Sequence, residues 1–83
     1  MKVRYFAWMK RTVGVADEEV APPNDVKTVG DLVVWLRSRS NGHAEALAEG
    51  AAFGAAVDQR TATFDVPIAG AREVAFFPPF TGG

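Results

Sequence analysis

The sequence predicts one α+β domain, a mixed β-sheet covered on one face by a single main helix. Three observations carry that expectation. The chain opens on an alternating stretch, holds one strongly amphipathic helical segment, and closes on short β-like segments ending in an apolar strand. Its 83 residues suffice for one domain and no more. A domain of this size buries only about 60% of its unfolded surface, so the core has to be compact.

KVRYFAWM (Lys2–Met9) alternates as a first strand, with Val3, Tyr5, Ala7 and Met9 on one face and Lys2, Arg4, Phe6 and Trp8 on the other. Lys10–Gly14 reads as a turn or short helical loop. Asp17–Ala21 is a short second strand, broken by PPND at Pro22–Asp25. The main helix follows. Thr28 caps it, Asp31 stands three residues on, and Val29, Leu32, Val33 and Leu36 fall on one face. Arg37 and Arg39 suit its C-terminal dipole, and Ser40, Asn41 and Gly42 stop it. Trp35 lies off the apolar stripe and seals the helix edge. His43–Gly50 makes a second short helix closed by glycine. Ala55–Asp58 and Thr61–Phe64 are strands flanking a turn at Gln59 and Arg60, and Val66–Glu73 is a loop. Glu73–Phe77 is the last strand, which Pro78 and Pro79 end because proline has no backbone donor. Periodicity leaves the strand order open.

Nine basic and ten acidic residues are scattered along the chain, for a net charge of −1, where a nucleic-acid binder would carry a basic stripe. The longest apolar or glycine run, GAAFGAAV (Gly50–Val57), falls far short of the roughly 20 residues that span a bilayer. No N-terminal targeting signal is expected. The chain has no cysteine, which removes disulfides, thiol nucleophiles and thiolate metal sites. The expectation is a cytoplasmic protein with no bound cofactor or metal and no nucleic-acid or membrane partner. His43 has no metal-ligand spacing around it and is expected to be solvent-exposed without a clustered partner. Lys10, Arg11, Arg60 and Arg72 read as solvated charge.

The ending FFPPFTGG divides the chain into a domain over residues 1–77 and a tail over 78–83. Fully extended, the tail reaches about 20 Å. Its prolines favour a stiff exit from the sheet, and Gly82 and Gly83 can thread a channel too narrow for any other residue. Such a tail presents a slender terminal carboxylate to another protein. A carboxylate is a poor electrophile and needs activation, most simply as an acyl-adenylate made with ATP. With no nucleophile–base pair in view, the chain reads as the cargo or subunit of an enzyme and has no catalytic site of its own.

That ending resembles the tail of the small subunits of molybdopterin synthases, an apolar strand, paired prolines, one residue, threonine and two glycines. KVRYFAWMKRTVG resembles the family's opening, and TVGDLVVWLRS and AAVDQ fit its helix and third strand, so the likeness spans nearly the whole chain. It implies a ubiquitin-like β-grasp fold with an extended C-terminal tail, and a sulfur-carrier role. In such proteins the terminal glycine, here Gly83, is adenylated by an ATP-dependent activating enzyme. With a sulfur donor it becomes a thiocarboxylate, and it then donates sulfur to cyclic pyranopterin monophosphate to form the dithiolene of molybdopterin. The resemblance implies that Phe80, Thr81 and Gly82 thread into partners. It also implies an assembly of two large and two small subunits, with the catalytic side chains on the large one.

A β-grasp sets the first and last strands side by side. Phe6, Trp8 and Phe77 would then form one exposed apolar patch at the root of the tail, continuing into Pro78 and Pro79, and such patches mark interfaces. Three other readings compete with the synthase subunit. One is a sulfur carrier for another pathway such as thiamine thiazole formation, against which the paired prolines and aromatic run argue. Another is a ubiquitin-like modifier conjugated to lysines. The third is an interaction domain with an inert tail.

Overall fold

The computed structural model describes residues 1–79. Five strands form one sheet: β1 (Lys2–Tyr5), β2 (Asp17–Glu19), β3 (Gly54–Val57), β4 (Arg60–Ala62) and β5 (Glu73–Phe77), in the order β2-β1-β5-β3-β4. The central pair β1–β5 is parallel and its neighbours are antiparallel, so the sheet is mixed as expected. Three helices, α1 (Trp8–Val13), α2 (Val29–Arg37) and α3 (Asn41–Ala46), complete the domain. This is the β-grasp arrangement, with the first and last strands adjacent.

The main helix forms for the reasons its sequence gives. Thr28 Oγ1 accepts from the Asp31 N–H at 3.1 Å, and Asp31 Oδ2 accepts from the Thr28 N–H at 3.2 Å, a reciprocal capping box. Val29, Leu32, Val33 and Leu36 are all buried, in one cluster with Val3, Tyr5, Ala55, Val74 and Phe76 from the sheet. Burying each leucine or valine of that stripe is worth about 1.5–3 kcal/mol, well above the cap's roughly 1 kcal/mol, so packing holds the helix and the cap fixes where it starts.

Element ends shift from the sequence reading, and three of the shifts have clear local causes. The first strand stops at Tyr5, because Ala7 takes φ 55° and ψ −133° and turns the chain into α1. Met9 is in the core as expected, but it reaches it from α1, and Ala7 is exposed instead of facing the core. Ser40 does not simply end α2. Its Oγ accepts from the His43 N–H at 3.1 Å and so caps α3, which starts two residues earlier than read. The β3–β4 turn falls on Asp58 and Gln59, both at positive φ, which frees Arg60 to open β4. Asp58 Oδ1 also accepts from the N–H groups of Arg72 and Glu73 at 2.9 and 3.0 Å, tying this hairpin to the start of β5.

Helix α3 lies close against α1 at Gly42, where a methyl group would sit 2.5 Å from the Thr12 carbonyl oxygen and 3.1 Å from that of Val13. Both are backbone atoms, so only a shift of one helix could relieve the contact. Alanine is favoured over glycine inside a helix by about 1 kcal/mol, but overpacking costs about 1–3 kcal/mol, and here the clash is the larger effect. Gly42→Ala is expected to lower the thermal midpoint by several degrees, and a calorimetric midpoint equal to or above the parent's would contradict that.

Candidate functional site

Strand alternation divides β1 and β5 between two environments. Val3 and Tyr5 point into the core, as their parity predicted, together with Val74 and Phe76, so Lys2, Arg4, Glu73, Ala75 and Phe77 lie on the face opposite α2. Register brings these residues together across three strands: Arg4 pairs with Ala75 and Ala75 with Ala56, while Phe77 pairs with Gly54. The Phe6 N–H donates to the Phe76 carbonyl at 3.1 Å, carrying the β1–β5 pairing one step past β1 and setting Phe6 beside the end of β5. Phe6 is 40% exposed, and the Arg4 guanidinium lies 5.0 Å from its ring centroid. Arg4 Nη1 also stands 3.7 Å from Glu73 Oε1.

Phe77 is half-buried because its ring lies over Gly54, where a methyl group would come within 2.5 Å of Cε1. On the β3 side of Phe77 the residues of this face are small, with Gly54 under the ring and Ala56 beside Ala75, so the face is low there. Gly54 opens β3, one residue before the strand expected at Ala55–Asp58, so neither it nor Arg4 stood out in the sequence. Gly54→Ala is expected to swing the Phe77 ring off the sheet without unfolding the chain. Retained circular dichroism with weaker partner binding would be the outcome, and unchanged binding would contradict it.

Trp8 is the first residue of α1, not part of a strand face, and its half-buried ring packs against the core. The strand argument that grouped it with Phe6 therefore does not apply. Pro78 is half-buried and Pro79 exposed, directly after β5. Phe80, Thr81, Gly82 and Gly83 lie outside the described residues.

Beneath the tail root, on the core side, is a polar cluster that sequence reasoning missed. Tyr5 stacks on Phe76 with centroids 6.2 Å apart and meets the His43 ring edge-on at 5.8 Å. Tyr5 Oη donates to Glu18 Oε2 at 2.8 Å, and His43 Nε2 lies 2.6 Å from the same oxygen. Ser40 Oγ is 2.7 Å from His43 Nδ1, and Arg39 Nη2 is 3.8 Å from Glu18 Oε1. His43 is thus buried and partnered at both ring nitrogens, against the expectation of an exposed residue with no clustered partner. Helix α3 turns its ring inward, onto an acid 25 residues earlier in the chain. Ser40 Oγ also serves as the cap of α3, which gives the whole relay a structural role.

The cluster's charges are set by mutual contact. Burial pushes the Glu18 carboxyl up, but hydrogen bonds from His43 and Tyr5 and the charges of His43 and Arg39 outweigh it, holding the group below its ordinary value. Burial, then the bond to Glu18, pushes the Tyr5 phenol far up, so it remains a donor. Among the described residues no cluster of three or more His, Asp or Glu could hold a metal, and no helix is long and apolar enough to cross a membrane.

Comparison with known proteins agrees with this architecture. The profile of the ThiS family matches residues 3–83. The chain is 42% identical over 83 residues to the molybdopterin synthase sulfur carrier subunit of Escherichia coli (strain K12), covering 100% of this chain and 99% of that one. Among solved structures, one described as a molybdopterin converting factor, subunit 1, from Pyrococcus furiosus has a TM-score of 0.73 at 28% identity, covering 95% of each chain. SAMP1 from Haloferax volcanii also gives 0.73, at 24% identity over 100% of this chain and 98% of that one, a likeness of fold alone.

Proposed function

Because the chain belongs to the ThiS family, we propose that it is the sulfur carrier subunit of a cytoplasmic molybdopterin synthase. The observation that carries this reading is the 42% identity spanning the full length of a sulfur carrier subunit, tail included. In this reading residues 1–77 are a docking domain and residues 78–83 the working arm. An ATP-dependent enzyme transfers AMP to the Gly83 carboxylate and releases pyrophosphate. A donor supplying sulfur at the sulfide level attacks the acyl carbon, expels AMP and leaves a terminal thiocarboxylate. Phe80, Thr81 and Gly82 thread this group into the large subunit, which supplies the catalytic side chains. Two successive transfers place two sulfurs on cyclic pyranopterin monophosphate, in an assembly of two large and two small subunits.

The domain's geometry supports this role. The tail leaves from the end of a central strand, whose backbone is hydrogen-bonded on both sides, so its first residues start from a fixed point. Phe6, Phe77, Pro78 and Pro79 gather apolar surface at that point, where a partner receiving the tail would press. The chain binds no cofactor, and ATP is consumed by the activating enzyme.

Reconstitution tests the reading. With ATP, activating enzyme, sulfur donor, large subunit and cyclic pyranopterin monophosphate, the chain is expected to support dithiolene formation, and omitting ATP is expected to stop it. Dithiolene formation that proceeds equally well without this chain would refute the proposal.

A further inference from the structure

Helix α3 opens on an asparagine followed by a glycine, Asn41 and Gly42. That pair carries chemistry of its own. The Gly42 amide nitrogen can attack the Asn41 side-chain carbonyl carbon, because glycine has no side chain to crowd the approach. A bond forms between that nitrogen and Cγ, the Cγ–Nδ2 bond breaks, and ammonia leaves with the amide proton. Water then opens the cyclic imide. Cleavage at Cγ gives aspartate. Cleavage at the main-chain carbonyl gives isoaspartate, in which the backbone runs through Cβ and Cγ.

Asn41 is exposed, so water reaches it, but the fold holds the reaction back. Closing the five-membered ring requires the Asn41 ψ to leave its helical value of about −42°, and that rotation turns the Gly42 peptide. Gly42 has no room to turn. It backs onto α1, where even a methyl group would lie 2.5 Å from the Thr12 carbonyl oxygen. Helix α3 is fastened along its length as well. Ser40 Oγ accepts from the His43 N–H at 3.1 Å, and the Ser40 carbonyl accepts from the Ala44 N–H at 3.0 Å. The His43 ring stands 2.6 Å from Glu18 Oε2, and Arg37 Nε donates to the Leu47 carbonyl at 2.6 Å. We propose that Asn41 is a site of spontaneous covalent modification, closed while α3 is seated on α1 and opened when the Glu18–His43 contact lets the helix go. This goes beyond the sulfur-carrier reading and does not depend on it. The two products differ in consequence. Aspartate at the first residue of α3 keeps the backbone and suits the helix dipole. Isoaspartate lengthens the backbone where α3 meets α1, so the helix cannot seat again as before.

The test follows the tryptic fragment Ser40–Arg60 in mildly alkaline buffer, reading the exchange of amide for acid by mass and isoaspartate by enzymatic methylation. Asn24, which precedes Asp25, lies in a separate fragment and serves as the reference. Conversion of Asn41 in the folded chain is expected to be at least about tenfold slower than in the same chain unfolded in urea. Ser40→Ala removes the cap and is expected to raise the folded rate about fivefold, measured against its own unfolded rate. Glu18→Ala is expected to raise it further, with circular dichroism showing that each variant remains folded. The purified isoaspartate form is expected to melt several degrees below the parent, and Asn41→Asp to melt with it. Hydrogen exchange on the unaltered protein gives a check that needs no variant: α3 amides are expected to exchange faster than those of β1 and β5. Equal conversion rates in the folded and unfolded parent, or no conversion in the unfolded chain, would overturn the proposal. So would an unchanged folded rate in Ser40→Ala, or α3 amides that exchange only as slowly as the central strands.

Discussion

Deleting Gly83 is expected to abolish sulfur transfer while leaving the fold and its thermal midpoint unchanged. The two effects separate because the last strand ends at Phe77, six residues short of the terminus. Removing one residue draws the terminal carboxylate back by about 3.3–3.6 Å. A displacement of about 1 Å at a reacting centre already costs on the order of 10²-fold in rate, so a retreat of this size should leave no measurable dithiolene formation. The shortened chain should still bind the large subunit through its sheet face, which makes it a competitor of the intact protein. Dithiolene formation by the shortened chain at more than a few per cent of the parent rate would contradict the assignment of Gly83.

Glu18→Ala is expected to produce the largest loss of stability from a single surface-edge position. Its carboxylate takes hydrogen bonds from Tyr5 and His43 and faces Arg39. Without it, the buried Tyr5 hydroxyl and the His43 ring lose their shared acceptor. Stranding a buried donor costs about 1–3 kcal/mol, and breaking a buried pair about 3–5, so about 3 kcal/mol is expected for this partly screened site. The pH dependence follows from the depressed folded pKa of Glu18. Because the folded value lies below the unfolded one of about 4.3, the contribution is complete above that pH and is lost as pH falls through the folded value. Denaturant melts of the two proteins should therefore differ most near neutrality and converge in acid. A stability difference that stays constant from pH 7 to pH 3 would show that the Glu18 charge is not involved.

What the sequence revealed follows the range of the interactions involved. The α2 helix was legible because its signals are local: Thr28 and Asp31 are three residues apart, and four apolar residues repeat at helical spacing. The last strand, Glu73–Phe77, was legible for the same reason, being a short apolar run stopped by two prolines. The end of β1 was not. Phe6, Ala7, Trp8 and Met9 continue the alternation of a strand, and alanine gives no sign of the positive φ that bends the chain there. The Glu18–His43 contact was invisible because the partners are 25 residues apart and the short helix carrying His43 has no apolar stripe to show which way the ring turns. At the site, Phe6 just past β1 and Phe77 at the end of β5 were accessible from parity, whereas Gly54 beneath Phe77 required the register of a third strand.

The most direct measurement is the mass of the C-terminal proteolytic fragment after incubation with ATP, activating enzyme and a sulfur donor. A sulfur carrier gains about 16 Da, the exchange of one oxygen for sulfur, on the fragment containing Gly83. Reading the fragment separates this gain from oxidation of Met1 or Met9, which adds nearly the same mass elsewhere. That gain is expected to depend on ATP and to be absent when Gly83 is deleted. An unmodified C-terminal fragment in the presence of an activating enzyme active on a known carrier would contradict it.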